Sequence, residues 1–275
     1  MKVTWELCRP HPVVQPLFSR YIGYEQHDVG LPVHRGLPSR HVTVIISLQD
    51  SVRVSGRFGV IRASGLVGGL HTNAVLIDQD RTQCGIHLEL HPFGVRTLFG
   101  VDACELGGQV VALDDLGPPV WARLPERLAS TATWSDRFGI LDEVLAPPAS
   151  EPAPTAPQLR MSWQLMLTSG GQMRVADIAK EVGWSRRHFT EQFRAETGLT
   201  PKQATRIVRF ERAGALLRTG KLDLAGIAVD CGYYDQAHLS NEWHALAGCS
   251  PRTWISEELP FLQDDDFFAG ANWPS

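Results

Sequence analysis

An internal repeat in the last third of this chain constrains its fold more than any other feature. An Ile-Ala-x3-Gly run ends at Gly183, and the same run recurs 49 residues later, ending at Gly232. The residues that follow, through Gly198-x-x-Pro201, recur 50 residues later through Gly248-x-x-Pro251, so the second turn holds one extra residue. Two short amphipathic segments about a glycine turn form the pattern of a helix-turn-helix, here present twice.

Helical spacing of the apolar residues predicts where these helices lie. The predicted helices are Val175–Val182, Arg186–Thr197, Pro201 to about Thr219, Leu224–Cys231 and Gln236–Ala247, preceded by one that contains Leu159 and Trp163. Ser185 and Asp235 stand where N-cap residues belong, one before the second helix of each unit. The joining helix of about 19 residues would be roughly 28 Å long, near the ~34 Å between successive major-groove faces of a duplex.

The rest of the chain divides by composition. Residues 146–157 contain five prolines and no large apolar residue, which favours an extended linker. Before it, alternating runs such as Val42–Leu48 and Gly85–Leu90 predict strands, and helices are expected only near the end of this half. The expected fold is therefore two domains: a β-rich α+β domain over residues 1–145 and, after the 146–157 linker, an all-α domain over 158–256. Residues 257–275 form an acidic tail.

Charge is distributed in the same way. Residues 158–256 hold 13 Lys/Arg against 9 Asp/Glu, although the whole chain has a net charge of −4. The basic excess thus coincides with the repeat, as phosphate binding requires. No apolar run has the length of a membrane span, the first residues lack a signal-peptide pattern, and the five cysteines are scattered without a C-x-x-C pair. We expect reduced thiols and a cytoplasmic protein without a membrane partner.

In each unit the apolar residues would pack the two helices together and leave one face of the second helix outward. Trp163, Trp184 and Trp243 are expected in the core. The outward residues of the first unit are Arg186, Arg187, Thr190, Glu191 and Arg194, and those of the second are Gln236, Ala237, Ser240, Asn241 and His244. Such a face fits the major groove of DNA.

Residues 158–256 resemble the DNA-binding domain of the AraC/XylS family of transcription regulators. The resemblance lies in both Ile-Ala-x3-Gly turns, in Arg209-x3-Ala213-x2-Leu216-Leu217 of the joining helix and in the run from Gly232 to Pro251. It implies that bases are read by Arg187, Thr190, Glu191, Gln236, Ala237, Ser240 and Asn241. Phosphate contacts are expected from Ser185, Arg186, Arg194, Lys202, Asp235 and His244. Residues 10–145 more weakly resemble a β-rich domain of unassigned function that often precedes this one in bacteria.

Two positions depart from the family's usual residues. Position 191, often basic in the family, is Glu, which repels phosphate but can accept a hydrogen bond from cytosine N4. Position 241, often Arg, is Asn, which suits adenine. Both changes are expected to alter the preferred site rather than abolish binding. Arg209 is interpreted as a structural residue that pairs with a carboxylate between the units.

The resemblance implies double-stranded DNA as a partner, with RNA polymerase and a small-molecule effector as further ones, for a monomer or homodimer. No catalytic motif and no cofactor is predicted. His87, Glu89 and His91 alternate along a strand, which is the ordinary pattern of the polar outer face of a half-buried strand, and a metal site with these three residues as ligands is the minor alternative. Three alternatives stay open: a DNA-targeted enzyme with activity in the N-terminal half, a helix-turn-helix that binds protein, and an N-terminal half used only for oligomerisation.

Overall fold

The computed structural model describes residues 2–220 and 223–258. Contacts within the chain define two compact units. The first contains residues up to 34, 41–70 and 75–154, and the second contains residues 35–40, 71–74 and the chain from 155 onward. The expected two-domain division into a β-rich part and a helical part is confirmed. Most of the acidic tail, residues 259–275, lies outside the described residues.

Among the described residues, the first unit contains three helices and ten strands, one of which extends into residues 35 and 36 of the second unit. The strands are β1 (Lys2–Cys8), β2 (Phe18–His27), β3 (Val33–Gly36), β4 (Val42–Ser47), β5 (Val52–Gly56), β6 (Gly59–Ala63), β7 (Gly65–Gly68), β8 (Val75–Asp78), β9 (Thr82–Leu90) and β10 (Val110–Ala112). The helices are α1 (Val95–Phe99), α2 (Val120–Ala129) and α3 (Trp134–Ser150), and short 3-10 turns lie at Pro92–Gly94 and Leu113–Asp115.

The strands form two sheets, one of six strands in the order β1-β2-β9-β4-β7-β10 and one of four in the order β3-β8-β5-β6. In the larger sheet β9 lies between β2 and β4 and is antiparallel to both. Its residues Ile86, Leu88 and Leu90 are fully buried, as expected for one face of an alternating strand. Gly23 on β2 leaves room on this face for the Trp134 ring of α3, which lies where a Cβ atom would be. This face is the core of the first unit.

The linker predicted at residues 146–157 begins later than expected. Ala146–Ser150 belong to the last turns of α3, and Glu151–Ala156 contain neither helix nor strand. Pro147 and Pro148 are compatible with this because proline fixes φ near the helical value, and the hydrogen bonds they remove are confined to the helix end. The burial of Leu145 and Ala149 stabilises these turns.

The second unit is helical. Its helices are α4 (Pro157–Thr168), α5 (Val175–Glu181), α6 (Arg186–Thr197), α7 (Pro201–Arg218), α8 (Leu224–Asp230), α9 (Gln236–Ala247) and α10 (Pro251–Glu257). Thr200 and Gln203 form a reciprocal capping box at the start of α7, and Pro201 occupies its first turn. No helix in the described residues is long and apolar enough to cross a membrane.

Two short segments from early in the sequence complete this unit. The Arg35 side chain donates a hydrogen bond to the buried Glu258 at the end of α10 (3.0 Å), and its backbone N–H donates to the same carboxylate. The Ser39 hydroxyl donates to Glu211 on α7 (2.9 Å). The Ala74 N–H donates to the Leu246 carbonyl in the last turn of α9 (2.8 Å). Residues 35–40 and 71–74 therefore satisfy polar groups of the helices themselves.

Candidate nucleic-acid interface

The first helix-turn-helix consists of α5 and α6. Ile178 on α5 and Phe189 and Phe193 on α6 are fully buried. The Trp163 ring of α4 stacks on Phe193, with ring centres 5.8 Å apart and planes at 22°. Gly183, in the turn, has φ +74°, a conformation that L side chains rarely adopt. The turn and the core together fix the angle between α5 and α6.

The second helix-turn-helix, α8 and α9, repeats this construction with different side chains. Trp243 on α9 is fully buried, with its ring centre 4.6 Å from that of Phe210 on α7 and 5.3 Å from that of Trp254 on α10. Gly232, in the turn, has φ +72°. Trp163 and Trp243 are thus core residues as expected, whereas Trp184 in the first turn is only half-buried.

An aromatic ring contacts a histidine at the equivalent place in each helix-turn-helix. Trp184 meets His188 edge-on, with ring centres 4.8 Å apart, and Tyr233 meets His238 edge-on at 5.4 Å. Each histidine lies in the first turn of its recognition helix. Each pair holds the turn of its helix-turn-helix against the recognition helix, so the two helix-turn-helices correspond in three dimensions as well as in sequence.

Both recognition helices have 12 residues and matching ends. The Ser185 hydroxyl accepts from the His188 N–H (3.2 Å), and the Asp235 carboxylate accepts from the His238 N–H (2.7 Å). At the other end, Gly198 (φ 78°) and Gly248 (φ 73°) are left-handed C-caps. The predicted N-caps are confirmed, and both helices begin and end where the sequence indicated.

The outward face of α6 contains a side-chain ion pair. The Arg187 side chain is 90% exposed and donates from Nε to Glu191 Oε1 at 2.9 Å, one turn further along. The half-buried Thr190 uses its hydroxyl to donate to the Arg186 carbonyl (2.8 Å). The structure brings together the three positions predicted to read bases. The coupling of Arg187 to Glu191 was not foreseen, although their i,i+4 spacing is the signal for it.

The outward face of α9 is uncharged at the predicted base-reading positions. Gln236, Ala237 and Asn241 are exposed, and Ser240 is half-buried. In the part of the chain that the structure describes, no hydrogen bond within the protein occupies the polar side chains of these residues. The donors and acceptors of this face are therefore available to a partner.

The predicted phosphate contacts flank these faces. Arg186, Arg194, Lys202 and His244 are exposed. Ser185 and Asp235 are already used as caps, which leaves the Ser185 hydroxyl proton available but makes Asp235 a fixed negative charge at the start of α9.

Arg209 on α7 is structural, but its main partner is not the carboxylate that we expected. Its Nη2 donates to the Gly171 carbonyl (3.1 Å), and its guanidinium lies 5.3 Å from the centre of the Tyr233 ring. A guanidinium can satisfy backbone carbonyls as well as carboxylates because it has five N–H donors. Arg209 thereby connects the loop before α5 to the turn between α8 and α9.

The alternating polar residues of the first unit do not form a solvated outer face. Arg20 on β2 makes two hydrogen bonds to Glu89 on β9 (2.8 and 2.9 Å), and both side chains are mostly buried. His41 Nδ1 lies 3.8 Å from the same carboxylate, and the Ser19 hydroxyl is within hydrogen-bond distance of His41 Nε2 (3.0 Å). We call Arg20, His41, His87 and Glu89 the buried polar cluster.

Electrostatics differ among the members of this cluster. Burial alone would raise the pKa of Glu89, but His41 and the Arg20 guanidinium lower it to about 2. Burial lowers the pKa of His87, so its imidazole is neutral at pH 7, and its buried Nε2 has no hydrogen-bond partner. The earlier metal hypothesis for His87, Glu89 and His91 finds no matching geometry, because no three metal-binding side chains converge within residues 2–220 and 223–258.

Sequence comparisons match the C-terminal unit. Residues 166–257 match the model of a helix-turn-helix domain family. The chain is 34% identical over 88 residues to the Msm operon regulatory protein of Streptococcus mutans and 33% identical over 86 residues to the transcriptional activator RhaS of Shigella boydii. These matches span 32% and 31% of the chain, and the same shares of the two relatives, so they cover about a third of each relative's length.

Solved structures match nearly the whole fold. An apo ToxT variant from Vibrio cholerae has a TM-score of 0.54 at 10% identity, covering 86% of this chain and 97% of that one. Wild-type ToxT with bound unsaturated fatty acid has a TM-score of 0.51 at 10% identity, covering 93% and 95%. The C-terminal unit is therefore a tandem helix-turn-helix domain, a class of DNA-binding domain. The resemblance of this unit to the DNA-binding domain of the AraC/XylS family is confirmed by the matches to the helix-turn-helix family and to the two regulators.

Proposed function

We propose that this protein is a transcription regulator that binds a specific DNA sequence through α6 and α9. The observation that carries the proposal is the pair of matched helix-turn-helices, which are joined by the helix α7. Its 18 residues give a length of about 27 Å, near the spacing of successive major-groove segments on one side of a duplex. One chain would then read two groove segments without dimerising.

In the first segment, Arg187 and Glu191 act together. Arg187 suits guanine O6 and N7, and Glu191 suits the N4 amino group of cytosine, so adjacent G·C pairs would satisfy both side chains. On binding, the Arg187–Glu191 hydrogen bond is exchanged for contacts with bases, and its loss costs little because both side chains are exposed. Thr190 completes this face beside them.

In the second segment, the face of α9 is neutral. Asn241 and Gln236 suit adenine N6 and N7, Ser240 accepts or donates with either kind of base, and Ala237 offers a methyl group to thymine. We expect a block rich in A·T pairs here. Phosphate contacts are assigned to Arg186, Arg194, Lys202, His244 and the Ser185 hydroxyl. Asp235, an acceptor only, contributes through its cap and not through a contact of its own.

Selection of bound sequences from a random DNA pool by the full chain tests this proposal. We expect two enriched blocks about one helical turn apart. Asn241→Ala should then relax base preference in one block, by about 1–3 kcal/mol at the base concerned, and leave the other block unchanged. Gln192→Ala, at an exposed position to one side of the reading face of α6, is the matched control and should retain both blocks. Failure of the unaltered protein to enrich any sequence would favour the protein-binding alternative.

We infer further that the β-rich unit binds a small molecule that alters DNA binding. Support comes from the buried polar cluster, in which the Nε2 of His87 has no partner although a buried polar atom without one costs about 1–3 kcal/mol. ToxT, which shares the fold, holds an unsaturated fatty acid in one structure. Oleate is therefore the first probe: it should raise the Tm of the full chain and raise that of His87→Leu less. An equal shift in both would contradict a role for this cluster.

The same proposal places the protein in the cytoplasm, where the chromosome and RNA polymerase are its partners. It treats the chain as a regulator and not an enzyme, since the relatives of its C-terminal unit are regulators. A DNA-targeted enzyme remains the competing hypothesis. It requires turnover of a DNA substrate by the full chain, which an incubation with the selected duplex followed by mass spectrometry of the DNA would detect.

A further inference from the structure

Tyr234 is the extra residue in the turn of the second helix-turn-helix, and it has no counterpart between Trp184 and Ser185 of the first helix-turn-helix. This residue is 90% exposed, the highest value among the exposed large hydrophobic residues of the described part of the chain. A tyrosine so exposed, at the start of a recognition helix, gains nothing from burial in the fold. Its phenol is therefore accessible to a partner outside the fold.

The backbone on both sides of Tyr234 is fixed, so its side chain is held away from the core. Tyr233 fills the core position, 5% exposed, with its ring edge-on to His238. The Tyr234 N–H donates to His238 Nδ1 (3.2 Å), and the next residue, Asp235, is the N-cap of α9. The phenol is thus presented beside the N-terminus of a 12-residue helix, where backbone N–H groups and the helix dipole favour an anion.

Cationic side chains are unevenly distributed between the two recognition helices. α6 contains Arg186, Arg187 and Arg194, whereas α9, Gln236–Ala247, contains neither Lys nor Arg. Its N-cap is also an anion, Asp235. Tyrosine is one of the neutral side chains that donate to phosphate oxygens in protein–DNA complexes.

We propose that the Tyr234 hydroxyl donates a hydrogen bond to one DNA phosphate oxygen and so seats α9 in the groove. This inference rests on the proposed DNA-binding function. It assigns the second helix-turn-helix an uncharged phosphate contact, in contrast to the arginine contacts of the first helix-turn-helix. Because a phenol displaces no counterion as a cation does, its contribution should be insensitive to salt.

The test uses the full chain and the duplex selected above, with Kd measured by fluorescence anisotropy over a range of salt concentrations. Tyr234→Phe, which removes only the hydroxyl, should weaken binding about threefold to tenfold, and the slope of log Kd against log salt should not change. Arg186→Ala should reduce that slope by about 0.9. Val229→Ala, at a 72% exposed residue of α8, is the matched control and should bind as the unaltered protein does.

Replacing single phosphates of the duplex with methylphosphonates identifies the partner. At one position the unaltered protein should lose affinity while Tyr234→Phe should not, because the contact is already absent. Equal binding by Tyr234→Phe and the unaltered protein would overturn the inference and leave the DNA-binding function intact. So would weakening by Tyr234→Ala alone, which would indicate a ring contact instead. If the unaltered protein selects no sequence, the proposed function fails, and this inference fails with it.

Discussion

At the scale of single residues, Glu89 carries the most consequential charge of the first unit. It lies on the central strand β9, bound by Arg20 and close to His41, and its pKa is lowered to about 2. The stabilisation it provides is therefore present above its ordinary pKa of 4.5 and is lost as the pH falls toward 2. Lowering a carboxyl pKa by this amount corresponds to about 3 kcal/mol of folding free energy at neutral pH.

We predict that Glu89→Gln lowers the free energy of unfolding at pH 7 by about 3 kcal/mol and flattens its decline between pH 4.5 and 3. Urea denaturation at several pH values measures both effects. Asp78→Asn is the control because Asp78 pairs with Arg53 at 2.8 Å but both side chains are over 40% exposed, so the change should cost well under about 1 kcal/mol. An unchanged acid dependence in Glu89→Gln would contradict the assigned pKa.

Gly183 is the second decisive residue, because its φ of +74° is strained for any residue with a Cβ atom. We predict that Gly183→Ala destabilises the helical unit by about 1–2 kcal/mol, although a Cβ there would meet no neighbouring atom. Gly139→Ala is the control: this residue lies within α3 with open space around it, so the change should stabilise by about 0.5–1 kcal/mol. Thermal unfolding of both variants would show opposite signs if the backbone conformation is the cause.

At the scale of elements, the cap of α9 has conflicting effects on folding and on DNA binding. The Asp235 carboxylate stabilises the helix by accepting from the His238 N–H, yet it places a negative charge where a phosphate is expected. We predict that Asp235→Asn keeps the stability within a few tenths of a kcal/mol and tightens DNA binding. Asp235→Ala should cost about 1 kcal/mol of stability. Thermal unfolding and anisotropy at low salt distinguish the effects, and weaker DNA binding by Asp235→Asn would contradict this assignment.

Elements with a strong local signal could be predicted from the sequence, and others could not. The recognition helices have glycine turns, caps and a 3.6-residue apolar period, and their ends were predicted to the residue. Strand β2 was missed because it mixes Arg20, Gly23 and Glu25 with its apolar residues, and its pairing with β9 is a long-range contact that no local pattern encodes. The burial of Glu89 was missed for the same reason, since its partner lies 69 residues away.

At the scale of the whole molecule, the net charge of −4 conceals a basic excess over residues 158–256, and α7 determines the spacing between the two reading helices of this region. A continuous helix of 18 residues does not stretch, so the distance between the two DNA blocks should be fixed. Two chains joined through a flexible connection would instead tolerate one added helical turn of DNA, because both half-sites would again face the same side.

We therefore predict that inserting 10 base pairs between the two selected blocks reduces affinity to that of a single block, and that inserting 5 does the same. Anisotropy with duplexes of 0, 5 and 10 added base pairs measures this. A duplex with 10 base pairs added outside the blocks, which changes length alone, is the control and should bind as the original site does. Recovery of full affinity at 10 inserted base pairs would mean that the blocks are read by two chains and not by the two helix-turn-helices of one chain.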